Sequence, residues 1–264
     1  MGTTTRPLAL VTGASSGIGR ELAKEFARHD FDLVIAADDA QLQDAKRELE
    51  ALGANVDAVT VDLAGDAGVD ELWRRTEGHG RPLAAAALNA GIGVGGAFAT
   101  DTRLEDDLRV VDVNVRSTVH LAKHVAQAME RRGEGRILFT SSIAAALPGT
   151  YQTVYNASKS FVQSFALALR EELKGSGVTV TSLMPGPTET EFFERAGMDD
   201  TRIAAGEKDD PADVARDGFE ALMRGDERVV SASLKTKLQA AGSRVLPDAA
   251  KARLQGRESK PGSG

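Results

Sequence analysis

Short apolar runs alternate with longer amphipathic segments from the start of this chain to about residue 231, and no internal repeat or linker interrupts them. LALVT (8–12), DLVIAA (32–37), NVDAVTVDL (55–63), LAAAALNAG (83–91), GRILFTSS (135–142) and GVTVTSLMPGP (177–187) read as strands, with ERVVS (227–231) a short seventh. Continuous apolar character marks strands covered on both faces, and parallel neighbours need crossovers long enough to hold a helix. The intervening segments supply them: a helix through about residue 29, QLQDAKRELEAL with leucines at 42, 49 and 52 in helical phase, VDELWRRTEG, a long helix over roughly 103–131 and another over about 152–174. Trp73 lies among charged neighbours on the third of these and reads as a packing residue. The expectation is an α/β doubly wound parallel sheet, three-layer αβα, in a single domain over 1–231.

Beyond the sixth strand, TETEFFERAGMDDTRIAAGEKDDPADV is too long for a minimal connection. It predicts a substrate lid over about 187–212, with Phe192, Phe193 and Met198 either forming its apolar inner face or packing on the body of the domain. Residues 232–254 read as a carboxyl-terminal helical extension, and 255–264, GRESKPGSG beyond Gln255, as a disordered tail.

The net charge of −7 argues against electrostatic binding to nucleic acid. Residues 235–264 carry seven Lys or Arg against two acids, net +5, which leaves −12 for the remainder. With Leu234, Leu238, Val245 and Leu246, that segment fits contact with a membrane surface or an acidic partner, though a docked helix with a solvated face is the commoner outcome. There is no cysteine, hence no disulfide and no thiolate chemistry, and no stretch approaches a membrane-spanning length, so a cytoplasmic protein is expected.

Between the first strand and the first helix stands LVTGASSGIGRELA, with Gly13, Gly17 and Gly19 around Ser15, Ser16 and Ile18. Glycine permits a tight turn and close backbone approach, and the amides at a helix N-terminus attract a pyrophosphate. The loop therefore predicts a dinucleotide and a Rossmann-type sheet. Gly13 to Gly17 also match the GxSxG nucleophile elbow, but only twelve residues precede it, and none of His79, His120 or His124 lies in a late loop. Asp38 and Asp39, about twenty residues on at the end of the second strand, suit the ribose 2′-hydroxyl of NAD and repel a 2′-phosphate. NADP is the alternative, with Arg20 folding back as the compensating cation. HLAKH places His120 and His124 on one helical face at metal-ligand spacing, but no third ligand is evident and no metal is expected.

Both tyrosines of the chain lie in GTYQTVYNASKSF (149–161), and only Tyr155 has a lysine, Lys159, one helical turn on. Together with TGASSGIG (12–19), Asn89-Ala90-Gly91, Asn114 and Ser142, in this order on an unbroken βα alternation, the chain resembles the classical short-chain dehydrogenase/reductase family over roughly residues 6–231. The resemblance implies a hydride transfer between NAD(P) and a secondary alcohol or ketone, with no metal. It makes Tyr155 the proton donor or acceptor, Ser142 the group that binds the substrate oxygen, with Ser141 a decoy, and Asn114 the residue that kinks its helix and holds a relay water. Lys159 would tune the phenol and bind the nicotinamide ribose. An ammonium about 4 Å away at an effective dielectric of about 20 contributes at most about 4 kcal/mol, roughly three pKa units, which would bring a phenol near 7.

The same resemblance assigns Asp62 and Leu63 to the adenine, Asn89, Ala90 and Gly91 to the sheet and cofactor passage, and Pro185, Gly186 and Thr188 to the carboxamide. Leu88 replaces the asparagine that usually precedes Asn89. Tyr151 is left as a pocket wall at most. The implied partners are an apolar alcohol or carbonyl substrate and further copies of the chain, as a homodimer or homotetramer through the helices at about 103–131 and 152–174. The remaining reading of a different kind is a non-catalytic cofactor sensor or scaffold that keeps the fold.

Overall fold

A computed structural model describes residues 6–231 and 247–264. Seven strands, β1 (Leu8–Thr12), β2 (Asp32–Ala37), β3 (Val56–Thr60), β4 (Leu83–Leu88), β5 (Gly135–Thr140), β6 (Val178–Pro185) and β7 (Arg228–Ser231), form one parallel sheet in the order β3-β2-β1-β4-β5-β6-β7. Helices α1 (Gly17–Arg28), α2 (Leu42–Ala51), α3 (Asp66–Glu77), α4 (Leu104–Val111), α5 (Ser117–Arg132), α6 (Thr153–Glu172) and α9 (Pro211–Arg224) cover its two faces, while two single-turn helices, α7 (Phe192–Arg195) and α8 (Arg202–Ala205), lie in the long excursion after β6.

The period of two within each strand divides the core. Leu8, Leu10, Val34 and Ala86 point to one face, against Trp73, Leu121 and Val162 of α3, α5 and α6. Ala9, Val11, Leu33 and Ile35 point to the other, against Leu22, Phe26, Leu49 and Phe219 of α1, α2 and α9. All five residues of β1 are buried. The chain runs from β1 outward to β2 and β3, then returns across β1 to begin β4 on its other side. The loops after β1 and β4 therefore diverge and open a crevice at the carboxyl end of the sheet, where ligands of such folds bind.

The expected helix over 103–131 is interrupted. Residues Asp112–Arg116 form a π-helical turn between α4 and α5, with Asn114 at its centre. A helix, α10 (Asp248–Glu258), occupies the end of the expected helical extension and runs four residues into the tail 255–264 expected to be disordered, whose remainder is docked. Thr150 Oγ1 donates to the carbonyl of Ala252 at 2.8 Å, the buried Ser259 accepts from Gln152 Nε2 at 2.8 Å, and the amide of Gly264 donates to the carbonyl of Asp200 at 2.8 Å. Polar composition suggested disorder, but a few long-range hydrogen bonds suffice to hold nine residues against the lid. The remainder of the expected helix over 232–254, with Lys235, Lys237 and Arg244 of the basic segment, lies outside the described residues.

Phe219 joins α9 to α1 through edge-to-face contacts with Phe26 at 5.1 Å and Phe31 at 6.5 Å. Phe219→Ala is expected to destabilise the protein by about 3–5 kcal/mol, seen as a lower guanidinium midpoint; an unchanged midpoint would mean this face of the sheet does not share one cooperative core.

Candidate active site

The crevice is a cleft of about 670 Å³ that runs from Asp38 and Asp62 past the glycine loop to Tyr155 and the lid. Its floor depends on one amide. Asn89 accepts from Thr140 Oγ1 at 2.9 Å and donates its Nδ2 to the carbonyl of Thr12 at 3.1 Å, while Thr12 Oγ1 accepts from the amides of Asn89 and Ala90 at 3.0 Å each. The ends of β1, β4 and β5 are thereby tied together. Gly13, at φ +64°, has no room for a side chain, since a Cβ would sit 2.9 Å from the Cα of Ala90. Ser16 caps α1 without a side-chain hydrogen bond to its first turn, which leaves those amides for a ligand. Close approach and open helical amides fit a pyrophosphate.

Ser15 is buried and donates to Asp39 at 2.9 Å, and Asp39 also accepts from the amide of Gln41 at 3.0 Å. A hydroxyl committed to a carboxylate in this way does not serve as a hydrolase nucleophile. Asp39 is engaged in the turn, so Asp38 is the more available of the two acids. The proposed compensating cation, Arg20, is elsewhere: it pairs with Glu48 through Nε at 3.1 Å and Nη2 at 2.6 Å. A different arginine stands at the adenosine end. Arg109, from α4, reaches Asp62 at 3.0 Å and Asp38 at 3.3 Å, and its hydrogen bond holds the Asp62 carboxyl below the usual range. Arg195 approaches Asp39 at 3.6 Å. Sequence reasoning missed both arginines, since neither belongs to a motif and each lies far along the chain from the acid it meets.

At the other end, Ser142 and Tyr155 are hydrogen-bonded, and Lys159 is buried with its Nζ donating to the carbonyl of Thr140 at 2.9 Å. Ser141 turns away and donates to the carbonyl of Lys159 at 3.0 Å. Gly91 lies where Lys159 passes, and a Cβ there would sit 2.9 Å from Nζ and 3.3 Å from Asn114 Oδ1, so a side chain would displace the lysine end. Asn114 is 1 % exposed; Nδ2 donates to the carbonyl of Ile92 and to Ser158 Oγ at 2.9 Å each, and Oδ1 accepts from the Ile92 amide at 2.9 Å. Both donors are used, so a relay water could meet this side chain only as a donor to the second lone pair of Oδ1. Pro185, Gly186 and Thr188 line the cleft between the two ends, with Asp62, Leu63 and the glycine loop.

Phe192 closes over the reactive end, with its ring 5.0 Å from that of Tyr155. Phe192 and Phe193 face the cleft, whereas the buried Met198 packs against Gly95 of the loop after β4. Tyr151 takes no part in lining the cleft; it sits at φ +65° and its carbonyl accepts from the amide of Gly96 at 2.9 Å. Gln152 and Gln255 also border the cleft, which the expected disorder of the tail had concealed.

Residues 7–200 match the family described as short chain dehydrogenase. The chain belongs to this family. It is 34 % identical over 189 residues to an uncharacterized short-chain type dehydrogenase/reductase of Sinorhizobium fredii, covering 72 % of this chain and 73 % of that one. Other relatives are longer, and the chain spans 34 % of their length. Among solved structures, a short-chain dehydrogenase from Sphingobium yanoikuyae in complex with NADPH superposes with a TM-score of 0.80 at 29 % identity, over 90 % of this chain and 93 % of that one. A short chain dehydrogenase/reductase from Burkholderia phymatum in complex with NAD gives 0.81 at 26 % identity, over 91 % and 94 %. As a member of the short chain dehydrogenases, the protein is an oxidoreductase of hydroxyl and carbonyl groups.

The electrostatics of this short chain dehydrogenase differ from the simple Coulomb expectation. Burial pushes the Tyr155 phenol up to about 12, partly offset by the Ser142 hydrogen bond, and pushes the Lys159 ammonium down to about 8. Lys159 Nζ lies 5.9 Å from the Tyr155 ring centroid and is directed at a carbonyl, so desolvation outweighs mutual attraction. The sign for stability follows. Between about pH 8 and the unfolded lysine value of 10.5, the folded protein holds fewer protons at Lys159 than the unfolded chain, so stability rises with pH across that window. Cofactor-free Lys159→Met is expected to lose that rise in thermal midpoint; an identical pH profile would mean that Lys159 is not desolvated.

Proposed function

We propose that the protein transfers hydride between NAD(H) and a secondary alcohol or ketone with a largely apolar body, in the cytoplasm. The observation that carries this reading is the hydrogen-bonded Ser142–Tyr155 pair beside a buried Lys159 at one end of a glycine-floored cleft. A nicotinamide supplies the hydride acceptor or donor and, when oxidised, a positive ring that favours a nearby phenolate. The first turn of α1 would hold its pyrophosphate, Asp38 its adenosine ribose, Asp62 and Leu63 its adenine, and Thr188 with the Pro185-Gly186 turn its carboxamide. Ser142 would donate to the substrate oxygen, and Tyr155 would take or give the proton there. Ile143, Leu147, Phe192, Phe193 and Ile203 leave mainly apolar surface for the rest of the substrate.

NADPH is the second reading, and Arg109 and Arg195 favour it, because either guanidinium could turn from its carboxylate to a 2′-phosphate. Calorimetric titration with NADH and NADPH in one buffer is expected to favour NADH by at least about tenfold, or about 1.4 kcal/mol; tighter NADPH binding would move the reading to an NADPH-dependent ketoreductase. Tyr155→Phe is expected to lower turnover of a ketone panel by at least about 10²-fold with cofactor affinity little changed. Unchanged turnover would remove Tyr155 from the chemistry, and wild-type protein that binds cofactor without turnover would support a sensor or scaffold.

Assembly as a homodimer or homotetramer is supported by apolar side chains on the outer surface. Leu104, Leu108 and Val111 form an exposed i, i+4, i+7 stripe on α4, which packs on α6, and Phe161 of α6 is exposed as well. Light scattering is expected to give two or four times the chain mass, and a purely monomeric species would leave that stripe without a partner chain.

A further inference from the structure

The pair of histidines at metal-ligand spacing lacks a third donor in the local sequence, but the fold brings one from another helix. Asp70 on α3 lies 3.0 Å from His120 Nε2 and 3.9 Å from His124 Nε2 on α5, and the three ligand atoms all lie within 4.8 Å of one another. A tetrahedral ion bound at about 2.0–2.1 Å needs donors roughly 3.3–3.5 Å apart, so small side-chain adjustments suffice. The geometry points to a binding site for a divalent transition-metal cation of the zinc class, bridging α3 and α5 away from the cofactor cleft.

Three features of the surroundings support it. The second nitrogen of His120, Nδ1, faces Asp66 at 3.7 Å, the placement of a carboxylate that would select the tautomer with Nε2 free to bind metal. Asp66 is shared with Arg116 at 2.6 Å, which keeps it from being a fourth ligand. The His124 ring is stacked on Trp73 at 5.3 Å and 13°, which fixes its plane. Asp70 is exposed and both histidines are half-buried, so an ion can enter and a fourth position remains open to water. Two imidazoles and one carboxylate suit zinc, nickel or copper better than magnesium or calcium, which want oxygen donors. The simpler alternative is a His–Asp ion pair that binds nothing.

Trp73 is the only tryptophan in the chain and lies against a ligand, so it reports occupancy directly. The full chain, stripped with a chelator, is titrated with Ni²⁺ while Trp73 emission is followed, and with Zn²⁺ in a calorimeter. One ion per chain, quenched emission with Ni²⁺, and at least tenfold weaker binding in each of Asp70→Asn, His120→Ala and His124→Ala are expected. Should a variant fold poorly, the wild type decides: Zn²⁺ is expected to protect His120 and His124, but not the exposed His29, from diethyl pyrocarbonate labelling read by mass spectrometry. No saturable binding, binding that the variants leave unchanged, or equal labelling with and without Zn²⁺ would overturn the site.

Discussion

One amide side chain, Asn89, holds the ends of three strands at the point where the sheet reverses direction. The reversal itself sends the loops after β1 and β4 apart, beyond the last ladder pairs of these strands. The Thr12–Asn89–Thr140 bonds tie these ends together, and they are made by partly buried groups whose loss would strand unpaired donors and acceptors. The glycine loop rests on that tie, with Gly13 in contact with the backbone of Ala90. Lys159 rests on it too, since its Nζ donates to the carbonyl of Thr140, the residue whose hydroxyl meets Asn89. Cofactor floor and reactive end are thus positioned by the same few polar contacts.

The reactive end combines groups that the apolar interior resists. A phenol pushed up to about 12 and an ammonium pushed down to about 8 are both moved toward neutrality by burial. Charge is therefore costly at this end of the cleft, and a ligand that carries compensating charge would make more difference here than on an open surface. Phe192 contributes to this by covering Tyr155, and Phe193, Ala196, Met198 and Ala204 of the excursion after β6 pack together beside it. The docked tail adds polar contacts at Gln152 and Ser259 on the same side. The excursion after β6 and the docked tail thus both lie at the Tyr155 end of the cleft.

The adenosine end is organised by the opposite principle, exposed charge in water. Asp38 and Asp62 share Arg109, and Asp39 lies near Arg195. Exposed pairs of this kind are individually weak and readily exchanged. A carboxylate that is already neutralised repels a 2′-phosphate less than a bare one does, while a guanidinium that can leave its carboxylate is available to the phosphate. Acids at the end of β2 are therefore a weaker guide to cofactor choice in this chain than their positions alone imply.

What the sequence disclosed follows from the range of the interaction concerned. Strand and helix positions depend on local periodicity, and the runs at 8–12 and 32–37 coincide with β1 and β2 residue for residue. The glycine loop, Ser142, Tyr155 and Lys159 were legible because each chemical group has close neighbours or a fixed interval along the chain. Arg109 meets Asp38 across seventy-one residues, Asp70 meets His120 across fifty, and Gln152 meets Ser259 across one hundred and seven. No local pattern encodes such pairs, because any of several charged or amide residues on the same helix face would have looked equally suitable. The tail was misread for the same reason: its polar composition describes the segment alone, whereas its order depends on Thr150, Gln152 and Asp200, residues of other elements that satisfy it. Local rules therefore recover the scaffold and the family it belongs to, while the features that tune this member of the family depend on which distant side chains the scaffold brings into reach.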